Sequence, residues 1–408
     1  MRTVFAGGRL FDGTGAAVAE ADVAVVDGQI VEVGLDGDEQ VDVGGSTLLP
    51  GLFDTHVHVM FGHVDFWRMM QEPFSYRFYD AIRNLDATLR LGITTVRDAG
   101  GADLGVKTAL QEGIIAGPRI QISITMLSQT GGHGDGWLPS GALAEPFPAY
   151  AGVPGSIVDG PDEARRRVRE LVRAGADVIK IATSGGVLSP RDKPQQPGFD
   201  VEEIEAICAE AAAAGLRVMS HAQSIVGIKN AVRAGVRSIE HGIYLDDEAI
   251  QLMLDRGAYL VPTLVAPHGV IKAAEAGASI PEVAVTKSHE VIEAHQDSFR
   301  RAVEAGVKVA MGTDAGVVPH GTNLEELQLM TDQGMSPEDV LVATTRSAAE
   351  LMGLEGELGT IEPGKRADLV VVAGDSFDFG DLAGRLERVY QDGRLVVEAE
   401  PEPVIAAV

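Results

Sequence analysis

A single cysteine, Cys208, in 408 residues excludes an intrachain disulfide and a cysteine-rich metal site. Its setting, EIEAICAEAAAAG, has the spacing of a buried helix stripe and reads as a packed thiol, not a nucleophile. No apolar run approaches the roughly 20 residues that span a bilayer. The opening MRTVFAGGRLFDGTG lacks the charged and then apolar segments of a signal peptide, so a cytoplasmic protein with no membrane partner is expected. Basic residues are scarce, 33 Lys and Arg against 60 Asp and Glu, for a net charge of −27. So acidic a surface repels phosphate backbones, which argues against a nucleic-acid partner and leaves a small-molecule substrate. Internal repeats and low-complexity tracts are also missing. What remains is ordinary globular composition, 45% hydrophobic and 23% charged.

The two ends of the chain share one texture. Short apolar runs at 3–5, 21–26, 30–33 and 47–49 are split by Gly7-Gly8, Asp27-Gly28 and Asp36-Gly37. Runs at 369–372, 388–390 and 395–397, with Asp392-Gly393, repeat the pattern near the C-terminus. Short strands joined by Asp-Gly turns form hairpins. One small β-sandwich domain built from residues 1–51 and 356–408 is the economical reading, with the tail after Glu398 loosely held.

Between them, residues 52–355 alternate β-branched runs with amphipathic helical stretches. The predicted strands are 52–59, 94–98, 120–125, 178–183, 217–221, 238–241, 259–263 and 308–314. Predicted helical segments include 162–174, 201–214, 226–234 and 297–305. Eight strands separated by helices predict an α/β fold, a (β/α)8 TIM barrel. Two long Gly/Pro-rich stretches, 131–160 and 184–198, follow strands, where barrel enzymes place their catalytic loops.

The polar residues at the strand ends carry the chemistry. His56 and His58, two apart in a strand, point the same way and suit one metal ion. His221 closes VMSHA, His241 closes SIEHG and Asp314 closes VAMGTD, while Lys180 sits within the apolar run VIKIAT. Any one of these fits a satisfied core polar residue. Their convergence on one barrel face points instead to a metal site. A buried lysine must be neutral or paired. As a neutral amine, Lys180 reacts with carbon dioxide to give a carbamate whose two oxygens reach two ions; the alternative is a salt bridge to a neighbouring acid. In the first reading His56, His58 and Asp314 serve one ion, His221 and His241 the other, and Lys180 is shared.

With PGLFDTHVHV near the start and GTIEPGKRADLVV near the end, this constellation resembles the amidohydrolase superfamily over nearly the whole chain. SQTGGHGD and IKIATSGGVLSP are similar to the binuclear, carboxylated-lysine branch that includes metal-dependent prolidases and Xaa-Arg/Lys carboxypeptidases. The resemblance implies two divalent ions, zinc by default, and a bridging hydroxide that attacks the carbonyl of an amide C–N bond. It assigns Asp314 as the residue that moves the water's proton to the leaving nitrogen, and His133 as the group that holds the carbonyl oxygen. The substrate implied is a dipeptide of the Xaa-Pro kind or an N-acyl amino acid. A non-peptide amide, carbamate or aryl urea is the alternative. A metal-free scaffold is disfavoured, since all six ligands are present.

One departure bears on substrate. Prolidase-like relatives often carry a tyrosine two residues after the strand-five histidine, where it contacts the substrate α-carboxylate; here that position is Gln223. Tyr244 and His320 are further candidates for the substrate rim. Arg191 and Lys193 could meet a carboxylate, although solvated loop charges are the plainer reading. His63, His268, His289 and His295 are expected at the surface or in packing. Relatives commonly form homo-oligomers, but no interface is legible in the sequence.

Overall fold

The computed structural model describes residues 1–32 and 37–399. Val33, Asp36 of the expected 36–37 turn and the tail from residue 400 onward lie outside the described residues. Eight parallel strands alternate with helices in a (β/α)8, TIM-barrel-type fold: β1 (Leu52–Val57), β2 (Ile93–Asp98), β3 (Arg119–Ile122), β4 (Val178–Ala182), β5 (Arg217–Ala222), β6 (Ser238–His241), β7 (Tyr259–Val261) and β8 (Lys308–Val309). Six of the eight are buried along most of their length on both faces, which is why they read as continuous β-branched runs.

β1, β2 and β3 pair in sequence order. The predicted strand 120–125 breaks after Ile122: Ile124 takes a left-handed φ of 71°, and a second piece, Met126–Leu127, pairs with β4 at Lys180. β4 to β8 then pair consecutively. The predicted strand 308–314 is regular only over its first two residues. Beyond them the backbone leaves the ladder and bonds β1 instead, with Thr55 N–H donating to Met311 O (2.9 Å) and Asp314 N–H to His56 O (2.7 Å). That crossing delivers Asp314 beside the His56–His58 pair.

The helices begin and end where the sequence signals them. Asp200 and Glu203 form a capping box on helix Val201–Ala213; Ser224 and Asp246 cap the next two, which stop at left-handed Gly235 and Gly257. The segment expected at 297–305 is the end of a longer helix, Glu282–Glu304. No helix among the described residues is long and apolar enough to cross a membrane.

Strands from the two ends of the chain pair with one another. Leu369–Ala373 runs antiparallel to Ser46–Pro50 inside a six-stranded sheet, and Arg2–Ala6 lies in a four-stranded one. Phe5, Ile30, Leu48, Val371 and Tyr390 pack into one apolar cluster, with Phe5 edge-on to Tyr390 at 4.9 Å. Asp27 and Asp392, each followed by glycine, adopt φ of 50°, as tight Asp-Gly turns require.

Candidate metal centre

The ends of β1, β4, β5 and β6, with the segment after β8, open into a cavity of about 340 Å³ lined by His56, His58, Lys180, His221, His241 and Asp314. His56 Nε2 lies 3.4 Å and His58 Nε2 3.2 Å from Asp314 Oδ1, and His56 Nε2 is 3.4 Å from Lys180 Nζ. The tightest ligand cluster among the described residues joins His56, His241 and Asp314, with donor atoms all within 4.8 Å. It takes members from both halves of the expected ligand division. His241 and Asp314 both hold left-handed backbone conformations, at φ of 71° and 60°, the kind of strain that collects at functional sites.

Each histidine has one ring nitrogen tied to an outer partner. His56 Nδ1 donates to the buried Glu240 carboxylate at 2.8 Å, and His58 Nδ1 to Gly100 O at 2.8 Å. His241 Nδ1 shares a 2.7 Å hydrogen bond with Thr263 Oγ1, and His221 Nε2 donates to Gly185 O at 3.1 Å. Among the described residues the other nitrogen of each ring has no such outer partner. For His56 and His58 those nitrogens face the Asp314 carboxylate, an arrangement that a shared proton or a metal ion satisfies. Burial drives His56, His221 and His241 well below the usual imidazole range and so keeps them neutral. Burial also acts to lower His58, but Asp314 outweighs it and raises the ring. Asp314 is held below the usual carboxylate range because His56 and His58 overcome its burial.

Lys180 is 1% exposed, and burial lowers its amine to about 8. Among the described residues no carboxylate lies within 4.0 Å of its Nζ, which disfavours the salt-bridge alternative; its polar neighbour is His56 Nε2.

His133 stacks on His221 with ring centroids 4.2 Å apart, and its Nδ1 bonds Asp192 Oδ2 at 3.0 Å. Gly186 makes room for this ring: a Cβ there would fall 2.3 Å from His133 Cε1. Gln223 lines the cavity with its Oε1 buried and unpartnered. Tyr244 lies outside the lining, its hydroxyl accepting from Gln195 Nε2 at 2.7 Å. His320 is also outside it, packed behind His58 with Nδ1 on Thr88 and Nε2 near His58 O. Arg191 lines the cavity over the Trp137 ring, whereas exposed Lys193 does not. His63 and His295, expected away from the site, both line the cavity; His295 donates from Nε2 to Pro262 O at 2.8 Å.

Several residues on which the geometry depends were missed in the sequence. Glu240, buried inside SIEH and also bound to Arg97, carried the same signal as Lys180, a charge within an apolar strand. Lys287 gave no such signal, because a lysine in a helix is commonplace. Here its Nζ donates to the carbonyls of Gly186, Ser189 and Asp192, pinning the loop that carries Asp192 and touches His133.

The chain matches the amidohydrolase family model over residues 47–396. It is similar to ochratoxinase from Aspergillus niger, 33% identical over 395 residues that cover 91% of this chain and 81% of that one. Among solved structures it resembles a Xaa-Pro dipeptidase with bound methionine in the active site (TM-score 0.88, 34% identity, 98% of this chain and 100% of that one). It also resembles a prolidase complexed with N-methylphosphonate-L-proline (TM-score 0.90, 36% identity, the same coverage).

Proposed function

We propose that this chain, which belongs to the amidohydrolase family, is a binuclear metal-dependent hydrolase that cleaves the amide C–N bond of a dipeptide or an N-acyl amino acid. The observation that carries the reading is the inward convergence of ligand atoms: His56 and His58 Nε2 face Asp314 across 3.2–3.4 Å, beside a buried lysine that, among the described residues, has no carboxylate within 4.0 Å. Imidazole nitrogens and a carboxylate suit zinc, manganese or cobalt, with zinc as the default. His56, His58, His221, His241 and Asp314 would hold two ions, with Lys180 joining them as a carbamate formed with carbon dioxide. When bound, the ions supply an activated water and polarise the scissile carbonyl.

The chain's own groups do the rest. Asp314, facing the cavity between His56 and His58, accepts the water's proton and returns it to the leaving nitrogen. His133, anchored through Nδ1 on Asp192, turns Nε2 toward the carbonyl oxygen, where negative charge develops. Glu240 and Gly100 fix the tautomers of His56 and His58. The terminal sheets, as one β-sandwich over 1–51 and 356–408, support a closed barrel over 52–355.

A second reading keeps the machinery and changes the substrate to a carboxylate-free amide, carbamate or aryl urea. It is favoured by Gln223 standing where a tyrosine would meet an α-carboxylate. A hydrolysis screen of the zinc- and bicarbonate-reconstituted protein separates the two. Turnover confined to dipeptides and N-acyl amino acids supports the first reading. Turnover only of carboxylate-free amides and ureas supports the second. No turnover of any C–N bond would sink both.

A further inference from the structure

In so acidic a chain, a guanidinium at the cavity wall with no acid beside it among the described residues is conspicuous. Arg77, on the helix Tyr76–Leu89, lines the cavity and is largely removed from water, and that burial lowers its pKa. One of its donors, Nη1, reaches a protein acceptor, Pro146 O at 2.8 Å. Among the described residues no carboxylate lies within 4.0 Å of it. The acid that acts on it most, Glu72, is already held by Arg68 (2.6 Å) and His63 (3.2 Å). Asp135 and Glu145 share the cavity wall, but Asp135 is occupied by the Gly131 and Trp137 N–H groups. A half-buried cation left this way has one carbonyl and the faces of Phe61 and Phe74 but, among the described residues, no carboxylate within 4.0 Å, and an anionic ligand supplies the missing charge partner.

The placement of Arg77 says where on the ligand the anion sits. Its guanidinium carbon lies 5.5 Å from the centre of the Phe61 ring, and His58 stacks on the same ring at 5.2 Å. Phe147 stacks on Phe61 as well, at 5.4 Å. Phe61 therefore touches both His58, a proposed metal ligand, and the Arg77 cation, and it belongs to an aromatic wall against which a flat group can lie.

We infer that the substrate carries an anionic group separated from its scissile amide by an aromatic ring or a spacer of that size, and that Arg77 is the residue that binds this distal anion. The inference rests on the proposed amide-hydrolase reading, since it takes the His58 side as the reacting end. It differs from an α-carboxylate subsite, which would lie only two bonds from the scissile nitrogen.

Calorimetric binding of three ring acids to the zinc-reconstituted protein tests this without requiring turnover. Terephthalate carries carboxylates across one ring, terephthalamate replaces one by an amide, and benzoate has one only. Terephthalate is expected to bind about tenfold or more tighter than either, as a charged hydrogen-bonded pair predicts. Arg77→Met should abolish that preference, Arg77→Lys should keep part of it, and benzoate binding should be unchanged in both. Equal binding of the three acids by the native protein would overturn the inference, as would a preference that survives Arg77→Met. A preference lost in Arg191→Met but kept in Arg77→Met would also overturn it. If no amide is cleaved in the substrate screen while the Arg77-dependent preference holds, the hydrolase reading fails and the anion site stands.

Discussion

The floor and the mouth of the cavity are built by different rules. On the floor, His56, His58, His221 and His241 sit at or beside strand ends, each with one ring nitrogen bonded outward. At the mouth, Arg77 and Arg191 rest on aromatic faces, and among the described residues no carboxylate lies within 4.0 Å of either. In the proposed reading the floor suits a cation and the mouth, with its charge and apolar surface, suits an anion. Chemistry would then be set by the barrel strands and substrate choice by the elements around the mouth, a division that lets one scaffold serve many substrates.

The largest effect that sharpens this contrast is expected at Lys180. Lys180→Ala should lose most bound metal and lower kcat by roughly 10³-fold or more, since the ions supply several kcal/mol of transition-state stabilisation. Metal analysis and initial rates check it, and a fully active variant would refute the carbamate bridge. His133→Ala should lower kcat by about 10²–10³-fold with metal content unchanged, the cost of one oxyanion donor. Glu240→Gln weakens the partner of His56 Nδ1 and should reduce metal affinity by about 10–100-fold, read by competition with a chelator. Lys287→Met tests the boundary between floor and mouth. It removes the donor from three carbonyls and should cost about 1–3 kcal/mol of stability in chemical denaturation. A several-fold loss of kcat should accompany it, with metal content intact and Lys287→Arg restoring part of the rate.

The same division governs what the sequence made legible. Strand positions could be read because buried parallel strands are continuous β-branched runs, and polar residues within such runs stand out: the six proposed ligands, with Glu240 overlooked though it obeys the same rule. The mouth was largely illegible. Arg77 lies on an ordinary helix, and its significance depends on Phe61 and on the absence of a nearby acid, neither of which spacing encodes. His295, expected in packing, reaches the cavity because the helix continues back to Glu282 and lies against His241 and Pro262. Tyr244, beside His241 in sequence, is turned away to meet Gln195. The break in β3 at Ile124 had no sequence signal, since a β-branched residue at positive φ is the reverse of what propensity predicts.

The most direct test of the central claim is the metal-to-protein ratio after reconstitution with zinc and bicarbonate, followed by removal of free metal. The account predicts two ions per chain, falling well below one in Lys180→Ala. A native protein that retains no metal, or holds only one ion regardless of residue 180, would contradict it.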